Sequence, residues 1–143
     1  MPAILRAALK ELISRGGLPV DRIHNRIIGE LGGPVSGSIG TDPVGTLIIE
    51  EEGLSQLSPD GGVQSRRTVS WRLVIYSQDE AAGDDLLESI TRRVAGKSTR
   101  VGRVAIRDTA RVNIQYATVD LERGVLGWSA SALFSSTVHY EEA

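Results

Sequence analysis

Apolar positions recur along the start of the chain with the spacing of a helix. Ile4, Leu5, Ala8, Leu9, Leu12 and Ile13 step by one and four along one narrow face, with Arg6, Lys10 and Glu11 opposite, which predicts a helix over residues 3–14. Gly16-Gly17 should end it, because glycine takes the positive-φ conformation of a helix terminus without steric cost. The next segment, DRIHNRII at 21–28, fits a short strand or a helical turn equally well. Residues 29–45, GELGGPVSGSIGTDPVG, hold six glycines and two prolines and cannot sustain a helix or an interior strand. A connection of that length within one domain is uncommon and is usually functional or disordered.

Strand periodicity follows. TLIIEEE at 46–52 reads as a strand ending in three acids, and GLSQLSPDGG after it as a second loop. In RRTVSWRLVIY at 66–76, Val69, Trp71, Leu73 and Ile75 alternate with Ser70, Arg72 and Val74, a strong strand pattern. Ser77 then stands three residues before Glu80, the spacing of a capping box. A helix to about Ala95 is predicted from Ala82, Leu86, Ile90 and Val94 at steps of four, with Leu87 beside them. Asp79, Glu80, Asp84 and Asp85 near its start and Arg92 and Arg93 near its end match the helix dipole, and Glu88 is placed to pair with Arg92. Gly96 should close it.

The last third reads as strands: 100–107 and 110–118 around Asp108-Thr109, a turn at Glu122-Arg123-Gly124, and one long strand from Trp128 to Tyr140. In that strand Trp128, Ala130, Ala132, Phe134, Ser136, Val138 and Tyr140 alternate with Ser129, Ser131, Leu133, Ser135, Thr137 and His139. The expected fold class is therefore α+β: a mostly antiparallel sheet with two helices packed on one face, and long loops. Neither an internal repeat nor a domain boundary is visible, so residues 1–143 are taken as a single domain.

Composition narrows the chemistry. With 41% hydrophobic and 24% charged residues and a net charge of −2, the chain has ordinary globular composition and no excess charge to attract nucleic acid or anionic membrane. The absence of cysteine removes disulfides, thiolate metal sites and cysteine nucleophiles. The opening MPAILRAALKEL lacks the long apolar run of a signal peptide or membrane span. Positive charge is carried by 14 arginines against Lys10 and Lys97. Arginine suits forked pairing at interfaces, although a GC-rich genome explains the bias equally well.

Candidate chemical residues are sparse. His24 and His139 have no H-x-x-x-H or H-x-E neighbour, so a surface or interface role is preferred to metal binding or catalysis. Glu50, Glu51 and Glu52 could bind a cation or basic partner, but strand alternation leaves at most Glu50 and Glu52 on one side, and a solvated strand end is the simpler reading. Asp84-Asp85 lie early in a helix, where acids are expected. The serines at 129–137 lack a G-x-S-x-G elbow and an activating histidine–acid pair. Residues 29–45 lack a P-loop lysine and read as a flexible loop or as an arm that orders on a neighbouring subunit. Arg103 and Arg107 would share a strand face beside Arg66-Arg67, Arg100 and Arg111, but six aromatics in the chain and no RNP pattern favour surface or interface arginines over sequence-specific nucleic-acid binding.

The order of these segments resembles the tail-terminator or tail-completion (head–tail joining) family of tailed bacteriophages. LRAALKELISRGGLPVDRIHNRI is similar to the family's amphipathic helix, break and first strand; PVGTLIIEEEG resembles the strand after its mobile loop. VSWRLVIYSQDEAAGDDLLESITRRV matches its strand–cap–helix unit, and VLGWSASALFSSTVHY its long C-terminal strand. The glycine content of 29–45 and the short tail after Tyr140 depart from the pattern. The resemblance implies a non-enzymatic virion protein without cofactors, assembled in the host cytoplasm and located in the tail or neck. It implies a ring, a hexamer in the family, that caps the tail tube, stops polymerisation and meets the head connector or stopper. Partners would be further copies of the chain, the tube protein and the connector. Candidate subunit or tube contacts are Glu50, Glu51, Glu52, Arg66, Arg67, Arg72, Gly37, Ser38, Ile39 and His139. Their clustering leads to the expectation that the glutamates pair with Arg66, Arg67 or Arg72 across subunits. A stopper, adaptor or tube subunit is the first alternative, and a small ligand-binding or enzymatic α/β domain the second.

Overall fold

Two helices bury their apolar stripes against one face of a six-stranded sheet, as the 3.6- and 2-residue periodicities require. A computed structural model describes residues 2–24, 43–52, 65–96, 98–102, 104–120 and 126–140. Helix α1 (Pro2–Ser14) is followed by a 3-10 turn (Val20–Arg22) and strands β1 (Ile23–His24), β2 (Val44–Glu52) and β3 (Ser65–Ser77). Helix α2 (Glu80–Val94) then leads to β4 (Thr99–Val101), β5 (Val104–Asp120) and β6 (Leu126–Tyr140). The spatial order is β1-β2-β3-β6-β5-β4, antiparallel except for β1 beside β2. The fold is α+β, and the ambiguous segment at 21–28 resolves, as far as it is described, into a 3-10 turn and a two-residue strand.

The core lies between the helices and the face carrying Val69, Trp71, Leu73, Ile75, Ala130, Ala132, Phe134 and Val138, all fully buried. Trp71 stacks on Phe134 of the neighbouring strand, their ring centroids 4.4 Å apart and the planes inclined by 12°. α1 contributes Leu5, Ala8, Leu9, Leu12 and Ile13, while Ile4, placed on the apolar face by spacing, is exposed. The stripe of α2 is displaced by one position from the sequence expectation: Gly83, Leu87, Ile90 and Val94 are buried, and Ala82 and Leu86 are only half-buried. The displacement follows from Trp128, whose indole occupies the space a side chain at position 83 would need. Gly17 and Gly96 take φ of +116° and +67°, ending the helices as expected.

Three local expectations are corrected. Ser77 is not the N-cap of α2. It remains the last residue of β3, opposite Trp128, and its hydroxyl accepts from Asp79 N (3.1 Å) and donates to Asp79 O (2.7 Å). Capping passes to Asp79, whose carboxylate accepts from Ala81 N at 3.1 Å. Second, 100–107 and 110–118 are not two strands separated at Asp108-Thr109. Gly102, at φ +58°, lies between β4 and β5, and β5 continues through Asp108-Thr109 as a bulge in which Asp108 takes φ +53°. The bulge turns the Thr109 side chain inward, where its hydroxyl shares a 2.8 Å hydrogen bond with Ser136, and Ser136 Oγ accepts from Trp71 Nε1 at 2.9 Å. Third, the Glu88 carboxylate accepts from Arg111 of β5 at 2.8 Å, and Arg92 reaches only the Glu88 carbonyl, at 3.4 Å. A strand partner held by the sheet competes better for the carboxylate than a flexible side chain one turn away. The turn at 122–124 lies outside the described residues.

Candidate functional site

The face of the sheet turned away from the helices carries most of the polar candidates. Strand alternation places Thr68, Ser70 and Arg72 of β3 there, beside Ser131, Leu133, Ser135, Thr137 and His139 of β6, all partly exposed or exposed. At the opposite end of this face Val44, Thr46, Tyr76 and Ser129 are buried. Burial raises the Tyr76 hydroxyl above its ordinary ionisation value.

Glu50 sits at the register shift between Ile49 and Glu51, and its carboxylate accepts from Arg72 Nε at 2.6 Å. Arg72 Nη1 also donates to Ser131 Oγ at 2.7 Å. These bonds tie β2, β3 and β6 together within one chain. Within the chain, the bulge lifts Glu50 out of the regular ladder and brings it to Arg72, two strand positions away on its own sheet. Arg66 and His139 are direct cross-strand neighbours, as are Arg67 and Val138. Glu51 and Glu52 stand opposite Ser70 and Val69, so the acidic end of β2 and the arginine end of β3 belong to the same end of the sheet. Gly37, Ser38 and Ile39, the loop after Glu52 and Arg103 lie outside the described residues. Arg107, expected beside Arg103, is exposed near the start of β5.

Sequence reasoning passed over two features. One is the far edge of β5, where Val112 and Tyr116 are exposed and Tyr116 tilts over Trp128 at 5.9 Å. The sequence pattern hides it, since Ala110, Val112, Ile114 and Tyr116 alternate with polar residues as in a strand with one buried face. The other is a cleft of about 390 Å³ lined by Gly17, Leu18, Pro19, Arg22, Pro43, Ala82 and Leu86. Among the described lining residues Arg22 is the one that carries charge, and Arg22 Nε donates to the Pro43 carbonyl at 2.9 Å. No sequence motif marks the cleft, because its residues come from three separate segments. Among the described residues no group of three His, Asp or Glu side chains could hold a metal ion, and no helix is long and apolar enough to cross a membrane.

No protein-family model matches the chain, and no curated protein matches it in sequence. In fold it is similar to a chain of the virion of the native gene transfer agent particle, with a TM-score of 0.57 and 9% identity. The likeness spans 94% of this chain and 96% of that one, so it extends over the whole arrangement of helices and strands.

Proposed function

We propose that the chain is a structural protein of a tailed phage or phage-like particle, and within that class a tail terminator: a ring that caps the tail tube, stops its growth and offers a face to the head connector. The observation that carries the reading is the near end-to-end likeness in fold to a virion chain, 94% of one and 96% of the other. It agrees with the sequence resemblance to tail-completion proteins. It also agrees with a molecule whose polar candidates lie on sheet faces and strand ends, where subunits meet. A ring needs two different, complementary patches on each subunit and a rotation that closes. On this reading the chain works through geometry and holds no catalytic group.

The test is tube growth. Tail tubes assembled with the purified chain and viewed by electron microscopy should stop at a defined end bearing one added ring. Tubes that lengthen by incorporating the chain would make it a tube subunit. Tubes that ignore it, while it binds the connector, would make it a stopper or adaptor.

A further inference from the structure

The two edges of the sheet are finished differently. At the β2 edge, β1 pairs with Gly45 and Thr46, Arg22 Nε donates to the Pro43 carbonyl, and Arg6 Nη1 donates to that of Leu47 at 2.7 Å. Among the described residues, positions 48–52 of β2, which end in the acids Glu50, Glu51 and Glu52, extend past these contacts. At the other edge β4 pairs with Val104–Ile106, and Gly96 N donates to the Thr109 carbonyl at 2.9 Å. From Ala110 onward no described strand flanks β5 on its outer side, and there Val112 and Tyr116 are 63% and 56% exposed. An unpaired strand edge bearing exposed apolar side chains is a template for another strand. The bulges in β5 oppose indiscriminate pairing, so a partner must match this edge in shape and charge.

Charge and register identify the partner. Arg107 is exposed near the start of β5, Arg111 lies on its Glu88 contact, and Arg92 is exposed on the same face of α2 as Glu88. Arg107, opposite Thr137, lies on the sheet face away from the helices, and Arg111, opposite Phe134, lies on the helix side with Arg92, so arginines flank this edge of the sheet on both faces, while the three glutamates end β2 at the other edge. Glu51 pairs with Ser70, Ser70 with Ser135, and Ser135 with Ala110, so the acidic end and the open edge lie at the same height. Three antiparallel steps make β2 antiparallel to β5. A second copy shifted sideways, without turning end over end, thus presents its acidic β2 end antiparallel to the arginine-rimmed edge.

We propose that copies of this chain join head to tail, the Glu50–Glu52 end of β2 on one seating against the β5 edge of the next beside Arg92, Arg107 and Arg111. The inference rests on the ring reading above and names the contact that closes the ring.

The chain has no cysteine, which permits a direct test. Glu51→Cys and Ala110→Cys are placed together in one chain, where three strand spacings of about 4.8 Å separate them. That is too far for an internal disulfide, which needs Cα atoms within about 7 Å. Mild oxidation of the folded double variant should give a ladder of covalent oligomers, and each single variant, whose cysteine faces no second one across this contact, should stay largely monomeric. A double variant that stays monomeric or stops at a dimer overturns the proposal. Charge exchange is the second readout. Glu51→Arg with Glu52→Arg, or Arg92→Glu with Arg107→Glu, should each weaken association about tenfold, and the combined set should restore it. No effect of either set, or no restoration, also overturns it. A ladder from a protein that fails to arrest tube growth keeps this contact and removes the terminator reading; arrest without a ladder does the reverse.

Discussion

A methyl group at position 83 would lie 2.4 Å from Trp128 Cζ3 and 2.9 Å from Ser77 Cβ. On an open helix face, Gly→Ala stabilises by about 1 kcal/mol. Here the clash reverses the sign, because the indole is held between α2 and the sheet. Gly83→Ala is expected to destabilise the fold by about 1–3 kcal/mol in chemical denaturation. A stabilised variant would mean that Trp128 moves aside freely. Tyr76 gives a second prediction at this scale. Its folded ionisation value is raised by burial above the ordinary 10.0, so the native state keeps the proton after the unfolded chain has lost it. The stability it contributes is complete below pH of about 10 and is lost as pH rises through the folded value. Lys10, lowered by burial and then by Arg6, acts with the opposite sign in the alkaline range, but it is common to both proteins compared. Melting temperatures from about pH 9 to 11 should fall more steeply for the native chain than for Tyr76→Phe. Parallel curves would refute the assignment.

At the scale of elements, the buried hydroxyl relay ties β3, β6 and the β5 bulge together. Ser136→Ala leaves Trp71 Nε1 without its acceptor and Thr109 without its partner, and should cost about 1–3 kcal/mol, measured by chemical or thermal unfolding. A loss near zero would show that the bulge holds without the relay. The end of β3 carries a different expectation. Arg66→Glu with Arg67→Glu should leave stability nearly unchanged yet weaken assembly, seen as a fall in sedimenting oligomer; unchanged ring formation would count against this end as a contact.

The elements differ in how legible they were. α1, β2, β3, α2 and β6 can be read from periodicity because each buries one face of regular structure, and burial imprints a period on the residues. The continuity of β5 could not be read, since Asp108-Thr109 looks like a turn until Ser136, a distant residue, is seen to receive Thr109. The α2 cap was misplaced for a related reason: Ser77 has the right spacing, but β3 holds it in the sheet. Of the candidate site, the acids of β2 and the arginine pair of β3 were visible as charge clusters. The internal partnership of Glu50 with Arg72 was not, because it depends on a bulge and on strand order, neither of which has a local signature.

For the whole molecule, sheet order decides what assembly can use. Among the described residues, one edge is covered in part by β1, Arg22 and Arg6, no strand flanks the other beyond Thr109, and the acidic β2 end lies level with that stretch. Such asymmetry suits a head-to-tail contact, which closes into a ring or runs on as a filament according to the rotation between copies. The central claim is that identical chains close a ring at the tube end. Its most direct test is solution mass by light scattering, alone and with tail tubes. The expected result is one closed species near six times the 15.3 kDa chain, or that ring recovered on tube ends when tubes are supplied. A chain that stays at 15.3 kDa and leaves tubes untouched would contradict it.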